Sequence, residues 1–347
     1  MIKNGNIIQM VAADYGMCGL LRVCWPADVL KAHGCNNIFC SRTYMSSLPT
    51  QAVLVQRCLD KVFNANLKKE PSLKIADFDD MLFPLYGEYL PSYNNVKYRN
   101  DEKTCKDAME DLCTFIDKIT VSTEYLKQAI LDNYNFDKVE VVPNYLPRFI
   151  FHYNRKPHIT EDIKKPRIVY AGGGQHYNNT LKQTGDFSPS FVQFLHNIVD
   201  KCELIFVGEL PFFMEDVKDK IQVHPWVNTL NYANFLYSLN ADFILAPLKE
   251  NVFNKCKSNL KYLESCAVGS VCFASDFEFS PYSMVDNDAK FTWTMNAKQL
   301  EYNFWNLCNK DVYNRILDKQ YDYINEMWLE NNINLHYKLF IDKEVKI

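Results

Sequence analysis

The chain has 347 residues, of which 48% are hydrophobic and 23% are charged, and its net charge at pH 7 is −4. The length favours two domains over one, and the apolar and aromatic content excludes a chain that is mainly disordered. The slightly negative charge is not typical of a protein that coats nucleic acid, although a local basic patch stays compatible with it.

In the first half of the chain, short apolar runs alternate with amphipathic stretches. The runs predict strands and the stretches predict helices. In chain order we predict a strand at 7–12, a helix at 22–32, strands at 52–55 and 73–78, a helix at 106–118, a strand at 119–121, a helix at 124–132 and a strand at 139–142. Ser122 or Thr123 is a suitable N-cap for the helix at 124–132. Alternation of this kind indicates a parallel α/β sheet.

A polar stretch at 147–166, which contains three prolines, interrupts the pattern and is interpreted as a linker. A second series follows it, with strands predicted at 167–171, 203–207, 221–223, 243–246 and 271–273 and helices at 191–200, 230–239 and 258–267, and with a helical remainder from about 297. We therefore expect an N-terminal Rossmann-like domain at 1–150, a second Rossmann-like domain at 151–325 and a C-terminal helix at 326–347 that returns to the first domain.

The cysteines and the N-terminus indicate the compartment. The 12 cysteines include no Cys-x-x-Cys pair, so no zinc site is expected. The N-terminal residues lack the apolar run of a signal peptide, and no run of about 18 apolar residues suggests a membrane span. We expect a soluble monomer with free thiols in a reducing cytoplasm.

The segment 254–264 has the features of a phosphate-binding helix start. Ligands of open parallel sheets bind beyond the carboxyl ends of the strands, where helix N-termini offer free N–H groups and a positive dipole end. Ser258 is a suitable N-cap, Lys257 and Lys261 lie beside it, and Glu264 is placed to accept hydrogen bonds from ribose hydroxyls. A capped amphipathic helix with a solvated lysine face fits the same residues, so the segment alone leaves both interpretations open.

From about Ile119 to Pro281, the chain resembles the GT-B glycosyltransferases, especially the retaining family 4-like group. The resemblance lies in the order and spacing of Thr120–Leu126 and Val141–Tyr145, of Trp226-Val227, Ala241-Asp242 and Ala246-Pro247, and of Lys257–Glu264 with Gly269 and Ala274–Asp276. It implies the GT-B fold, an α/β architecture of two Rossmann-like domains whose parallel sheets face each other across a cleft. It also implies a hexosyl- or pentosyltransferase that uses a nucleotide-diphosphate-sugar, a UDP-sugar first of all, without a metal and with retention of configuration.

The resemblance also assigns residues to the donor site. Those that match the nucleotide-binding positions are Gly172, Gly173, Gly174, Lys257, Ser258, Asn259, Lys261 and Glu264. The family often carries two glutamates at a fixed spacing, of which Glu264 matches the second, whereas the first falls at Cys256. A thiol does not hold a donor sugar as a carboxylate does, so the sugar and the stereochemistry stay open.

The loop Gly172-Gly173-Gly174-Gln175-His176 follows the first strand of the second series. It resembles a glycine loop with a histidine that a subgroup of the family carries, and glycines let a backbone approach a phosphate closely. We predict that His176 contacts the diphosphate or the donor sugar. A plain strand-to-helix turn with a structural histidine is the alternative.

The run Asp77-Phe78-Asp79-Asp80 ends a predicted strand of the first domain, where the acceptor is expected. Acceptor binding or base catalysis by Asp77, Asp79 or Asp80 is the first interpretation. Capping of the next element and metal binding are the alternatives. The predicted catalytic set is therefore Asp77, Asp79, Asp80, His176 and Lys257.

Two further segments carry aromatic rings or cations suited to sugars, bases and phosphates, although a tyrosine-rich surface loop without a ligand is an equal alternative for the first. They are the loop 84–103, with Tyr86, Tyr89, Tyr93, Tyr98, Lys97, Arg99 and Lys103, and the linker, with Arg148, Arg155, Lys156, Lys164, Lys165 and Arg167. Arg22 is expected to point toward the cleft.

Several phage enzymes of this fold glycosylate hydroxymethylated cytosine, and the Asn-, Lys- and Tyr-rich composition is compatible with a phage protein. The predicted acceptor is therefore 5-hydroxymethylcytosine in double-stranded DNA, whose base such an enzyme must extrude. The alternatives are a cell-surface glycan precursor as acceptor and a catalytically inactive sugar-nucleotide binder. An NAD enzyme is disfavoured, because no G-x-G-x-x-G fingerprint follows a first strand.

Overall fold

The structure, a computed structural model, describes residues 7–82, 102–151, 155–172 and 176–340, with the backbone alone for 102–104. These ranges are called the described residues below. The described strands form two six-stranded sheets in which every strand pairs in parallel with its neighbours. Helices connect the strands, so the α/β architecture predicted from the alternation is confirmed.

The first sheet has the order β2-β1-β3-β4-β5-β6. Its strands are β1 Ile7–Val11, β2 Ile38–Ser41, β3 Thr50–Gln56, β4 Leu73–Phe78, β5 Lys118–Val121 and β6 Val139–Val141. The short strand β2 was not predicted from the sequence. It pairs with β1 at the sheet edge, where its residues are only partly buried, and its apolar signal is correspondingly short.

Helices cover this sheet. They are α1 Met17–Gly19, a π-helical turn Leu20–Cys24, α2 Trp25–Ala32, α3 Lys61–Leu67, α4 Glu102–Cys113 and α5 Glu124–Asn133. The Thr123 hydroxyl caps α5 by accepting a hydrogen bond from the backbone N–H of Leu126 over 3.2 Å. Of the two candidate caps predicted from the sequence, Thr123 is therefore the one that the structure uses. Helix α4 ends at Cys113, before the predicted end at 118.

The second sheet has the order β12-β11-β10-β7-β8-β9. Its strands are β7 Arg167–Ala171, β8 Glu203–Val207, β9 Ile221–His224, β10 Phe243–Ala246, β11 Val271–Ser275 and β12 Lys290–Phe291. All residues of β10 and β11 are buried. Such continuous burial is expected of central strands in a parallel sheet with helices on both faces.

The helices of the second half are α6 Pro189–Ile198, α7 Thr229–Ser238, α8 Val252–Lys255, α9 Leu260–Val268, α10 Ala297–Leu307, α11 Lys310–Glu326 and α12 Leu329–Lys338. Two 3₁₀ segments, Phe212–Lys220 and Asn287–Ala289, lie between them. Gly269 ends α9 in the left-handed conformation, with φ of 68°.

The C-terminal helix α12 packs against α2 of the first half. The Leu146 carbonyl accepts a hydrogen bond from the backbone N–H of Leu329 over 2.9 Å, and the Glu330 carboxylate accepts one from the backbone N–H of Arg148 over 2.8 Å. The chain therefore crosses between the two sheets at residues 142–147 and again near 327–329. The predicted domain boundaries at 150 and 325 lie close to these crossings and stay predictions.

Candidate active site between the two sheets

A cavity of about 380 Å³ lies between the carboxyl ends of the two sheets. Met17 and Cys18, which follow β1, and Asp79 and Asp80, which follow β4, line it from the first sheet. The second sheet contributes residues that follow β7, β9 and β10. In that sheet β7 and β10 are neighbours from which the chain runs outward in opposite directions, and this topological switch point opens a crevice for a ligand.

Most of the residues selected from the sequence meet at this cavity. Those that line it are Asp79, Asp80, Gly172, His176, Lys257, Ser258, Lys261 and Glu264. Asp77 and Asn259 are not among its lining residues. Gly173 and Gly174 lie outside the described residues.

The start of the helix that carries the phosphate-binding residues differs from the prediction. The unpredicted short helix α8 begins after Asn251, whose side chain accepts a hydrogen bond from the backbone N–H of Asn254 over 2.8 Å. A turn follows, and α9 begins at Leu260 with Asn259 as its N-cap. The expectation that Ser258 caps this helix is wrong, because the Ser258 hydroxyl instead accepts a hydrogen bond from the Asn144 side chain over 2.8 Å.

The two lysines of this segment have different surroundings. The Lys257 ammonium lies 4.7 Å from the centre of the Phe253 ring and forms no ion pair with any described residue. The Lys261 ammonium lies 3.3 Å from the Glu264 carboxylate, which also accepts a hydrogen bond from the Tyr232 hydroxyl over 3.2 Å. Glu264 is only 3% exposed, so its carboxylate is held in one place at the cavity wall.

Cys256 is fully buried and packs with the core residues of the first sheet. Its carbonyl accepts a hydrogen bond from the Thr123 hydroxyl over 3.1 Å, and it does not line the cavity. Burial raises the pKa of its thiol. Position 256 therefore serves the contact between the two halves of the protein.

His176 is oriented by a buried carboxylate. Its Nδ1 lies 2.7 Å from Asp186 Oδ2, and the other Asp186 oxygen accepts hydrogen bonds from the Lys249 backbone and the Asn254 side chain. Burial lowers the pKa of His176 despite the favourable charge of Asp186. A neutral imidazole that donates from Nδ1 to Asp186 presents a basic Nε2.

Gly172 lies where β7 meets the cavity and follows Ala171, which also lines it. A Cβ built on Gly172 collides with the hydroxyl and ring carbons of Tyr170. Glycine is therefore required here by the close approach of the tyrosine ring.

The three aspartates at the end of β4 have three different environments. Asp77 is buried, binds the Arg22 guanidinium through both oxygens over 3.1 and 2.5 Å and accepts a hydrogen bond from the Thr120 hydroxyl. The expectation that Arg22 points toward the cleft is wrong, since its side chain is 2% exposed and turned toward Asp77. A buried guanidinium needs such a partner, so this pair belongs to the interior.

Asp79 and Asp80 face the cavity. Asp79 is bound by Arg57 through both oxygens over 2.9 Å. Burial alone raises its pKa, but the charge and hydrogen bonds of Arg57 hold the pKa of Asp79 below its ordinary value. Burial raises the pKa of Asp80, and the negative charge of Asp79 adds to this effect, against the opposing charge of Lys257. Asp80 is therefore the better proton acceptor of the two.

Several cavity residues were not selected from the sequence as site residues. Asn144 and Cys18 line the first wall, and Trp226 lines the second with half of its surface exposed. Gly208, with φ of 109°, lies so close to Trp226 that a Cβ would approach the indole nitrogen to 2.7 Å. The positive φ favours glycine, and without a Cβ the Trp226 ring lies close against the backbone at this position. A glycine directly after a predicted strand was the signal available in the sequence.

The loop 84–103, predicted as an aromatic and basic surface, lies outside the described residues, apart from the backbone of 102 and 103. Most cations of the linker have partners. Arg155 pairs with Asp318, Arg167 and Lys165 pair with Glu203, and the Lys156 ammonium donates to the Ala241 carbonyl. These contacts hold the linker to the second sheet and its helices.

Neither a metal cluster nor a membrane helix is found in the part of the chain that the structure describes. There, no three His, Cys, Asp or Glu side chains lie together as metal ligands would. No described helix combines the length and apolar character needed to span a bilayer.

Comparison with known proteins relates the fold to solved structures. No protein-family model matches the sequence, and a search of curated proteins gave no significant match. HepE from Anabaena, solved in complex with UDP-glucose, is 10% identical and matches over 96% of this chain and 97% of its own, with a TM-score of 0.62. WaaG, a glycosyltransferase involved in lipopolysaccharide biosynthesis, is 11% identical and matches over 97% of this chain and 100% of its own, with a TM-score of 0.59.

TarM from S. aureus, solved in complex with UDP and alpha-GlcNAc-glycerol, is 13% identical over 83% of this chain, with a TM-score of 0.59. The match covers 55% of the TarM chain, so this chain spans about half the length of TarM. The shared architecture confirms the fold implied by the sequence resemblance: the chain has the GT-B fold of these glycosyltransferases.

Proposed function

We propose that the protein transfers a sugar from a UDP-sugar to an acceptor hydroxyl in the cavity between the two sheets. The observation that carries this proposal is the composition of the two walls. Cations, a hydroxyl and a buried glutamate form one wall, and two carboxylates with contrasting pKa values form the other. A nucleotide-sugar needs the wall of the second sheet, with its cations and glutamate, and an acceptor hydroxyl needs the wall of the first sheet, with its two aspartates.

The diphosphate fits at the start of α9. The Lys257 ammonium, the Ser258 hydroxyl and the Lys261 ammonium line the cavity there, and a helix of nine residues directs its N-terminus to the same place. Lys257, a partly buried cation without an ion-pair partner among the described residues, gains one when an anion binds. The diphosphate would also compete with Glu264 for Lys261.

The nucleoside fits along the same wall, toward β8 and β9. The Glu264 carboxylate, held by Tyr232 and Lys261, is available to the ribose hydroxyls, and the exposed face of Trp226 offers a stacking surface for a base. HepE was solved in complex with UDP-glucose and TarM in complex with UDP, which supports uridine as the base.

Transfer breaks the bond between the anomeric carbon and the diphosphate, so that negative charge grows on the leaving group. Lys257, Ser258, Lys261 and the helix dipole are pre-arranged to stabilise that charge, which is the main electrostatic task. On the opposite wall, the raised pKa of Asp80 suits it to accept the proton of the attacking hydroxyl. NMR analysis of the product anomer will decide between inversion with this base and the retention predicted from the resemblance.

The test is release of nucleoside diphosphate from a panel of UDP-, GDP-, ADP- and dTDP-sugars, together with calorimetric binding of UDP. We expect UDP-sugars to be turned over, and Lys257→Ala and Glu264→Ala to lower kcat/KM at least tenfold. Lys218→Ala, which removes an exposed lysine that pairs among the described residues with Glu215, three residues earlier, is the matched control. If no nucleotide-sugar binds, the proposal fails. Binding without turnover favours the inactive sugar-nucleotide binder.

The acceptor prediction, 5-hydroxymethylcytosine in DNA, needs its own experiment. Hydroxymethylated DNA, unmodified DNA and lipid-linked or soluble glycan precursors are incubated with the active donor, and the products are weighed by mass spectrometry. A gain of one sugar mass on hydroxymethylated DNA alone supports the prediction. A gain on a glycan alone favours the alternative acceptor, for which WaaG, a glycosyltransferase involved in lipopolysaccharide biosynthesis, is a precedent.

A further inference from the structure

A chain of buried polar side chains connects the interior of the first sheet with the cavity. It starts at Asp77, passes through Arg22 and Asn144 and ends at Ser258. Asp77, Arg22 and Asn144 are each at most 5% exposed. Since Ser258 belongs to the second half of the protein, this series of hydrogen-bonded side chains also links one half to the other.

The direction of each hydrogen bond in this chain follows from the chemistry of the arginine. A guanidinium only donates, so the atom of Asn144 that lies 3.1 Å from Arg22 Nη1 must be the carbonyl oxygen, Oδ1. The amide nitrogen of Asn144 is then the atom that faces Ser258, and it donates to the Ser258 hydroxyl over 2.8 Å. If the Asn144 amide were flipped, its nitrogen would face the Arg22 guanidinium, and two donors would lie against each other.

The arginine cannot turn away to release this arrangement. Two bonds join it to Asp77, and Nη1 also donates to the Val142 carbonyl over 2.5 Å. A buried guanidinium that gave up these acceptors would leave its N–H donors unpaired away from water, which is strongly unfavourable. The acceptor face of Asn144 is therefore held in place by an ion pair in the core.

The consequence lies in the cavity. One lone pair of the Ser258 oxygen receives the Asn144 amide, so the hydroxyl proton of Ser258 must point elsewhere, and Ser258 lines the cavity. We propose that Asn144 is a positioning residue that makes Ser258 a dedicated hydrogen-bond donor to the diphosphate. This inference rests on the proposed function and adds to it a residue of the opposite half, with a defined polarity.

The test compares UDP binding by calorimetry in four proteins: wild type, Asn144→Ala, Ser258→Ala and the double variant. We expect each single substitution to raise the Kd for UDP about tenfold, as for loss of a hydrogen bond to a charged group. Because Asn144 acts through Ser258, the double variant should bind within twofold of Ser258→Ala. Independent contributions would multiply instead, and that result would overturn the inference.

Asn144→Asp separates binding from folding. The carboxylate still accepts from Arg22, so the thermal midpoint should not fall, but it cannot donate to Ser258 and instead takes up the serine proton. We expect UDP affinity to fall more than tenfold, and by less when Ser258→Ala is also present. Unchanged affinity in Asn144→Asp refutes the assigned polarity.

Thr123→Val is the matched control, because it removes a different side-chain hydrogen bond between the halves, from the Thr123 hydroxyl to the Cys256 carbonyl. It should lower the thermal midpoint, since Thr123 also caps α5, and leave UDP affinity within twofold. An equal loss of affinity in this control assigns the Asn144 effect to general contact between the halves and overturns the inference. If wild type binds no nucleoside diphosphate, the proposed function fails, and this inference falls with it.

Discussion

At the scale of single residues, the end of β4 shows how neighbours in sequence acquire different roles. Asp77 belongs to β4 and Asp79 follows its end, and one is bound in the core by Arg22 and the other at the cavity by Arg57. Asp80 contacts neither arginine through an ion pair among the described residues and has a raised pKa. The raised pKa means that the fold stabilises the charged carboxylate of Asp80 less than water does.

These environments predict opposite consequences of two similar substitutions. Asp80→Asn removes a charge that burial and Asp79 disfavour, so stability should stay within about 1 kcal/mol, while kcat falls about 100-fold through loss of the base and donor KM changes little. Asp77→Asn leaves the buried Arg22 without its counter-charge and should cost about 3 kcal/mol of unfolding free energy. Urea unfolding and steady-state kinetics measure both effects.

The reverse pattern, with a stable but inactive Asp77→Asn and an active Asp80→Asn, would return Asp77 to the catalytic role predicted from the sequence. Glu250→Gln provides a control for the removal of an acidic side chain at the carboxyl edge of the second sheet. Its carboxylate pairs with Lys255, and it does not line the cavity.

At the scale of elements, the C-terminal helix α12 links the last residues of the second half to the first. Its residue His336 is 4% exposed, and its Nδ1 has no hydrogen-bond partner among the described residues. Its ring lies 6.4 Å from the ring of Tyr145, in the segment where the chain crosses between the sheets. Burial lowers the pKa of His336 to about 3, and the positive charge of Arg22 contributes.

This burial predicts a loss of stability in mild acid. Below pH about 6.5 the unfolded chain takes up a proton at His336, whereas the folded protein does not until pH about 3. The contribution of His336 to the unfolding free energy is therefore complete above pH about 6.5 and is lost as the pH falls toward 3. Between pH 7 and pH 5 it amounts to about 2 kcal/mol.

The measurement is urea unfolding of wild type and His336→Leu at both pH values. Leucine does not titrate, so the unfolding free energy of the variant should fall by about 2 kcal/mol less than that of wild type between pH 7 and pH 5. Its stability at pH 7 will also reflect changed packing. Equal decreases in the two proteins would show that His336 does not resist protonation in the fold.

At the scale of the whole molecule, the cavity is a property of two sheets that face each other. Neither wall alone holds both the cations near α9 and the carboxylates after β4. The crossings at 142–147 and 327–329 and the Asn144–Ser258 contact hold the walls together. A ligand that touches both walls should therefore stabilise both halves.

We predict that UDP at 100 times its Kd adds about 2.7 kcal/mol to the unfolding free energy. Hydrogen exchange should slow both at 257–261 and at Asp79-Asp80, because both segments line the cavity. Calorimetry and mass-detected exchange provide the two measurements, and Lys257→Ala at the same UDP concentration should show a smaller shift. Protection confined to the second half would exclude the first wall from nucleotide binding.

The sequence by itself determined most of the architecture. Apolar runs such as Phe243–Ala246 and Val271–Phe273 predict buried parallel strands, because a continuous apolar run is visible in the sequence without knowledge of its partner strands. The residues that follow such strands predict the ligand site, since the carboxyl ends of parallel strands share one edge. Lys257, Ser258, Lys261 and Glu264 were found in this way, and they line the cavity.

Only the tertiary structure decided what the polar residues contact. It turned Arg22 into the core, separated Asp77 from Asp80, buried Cys256 against the first sheet and brought Asn144 to Ser258. Each of these contacts joins residues far apart in the chain, and its geometry follows from sheet register and from the packing of one half on the other. Local pattern reports burial and periodicity, but it does not specify which distant partner satisfies a buried charge or amide.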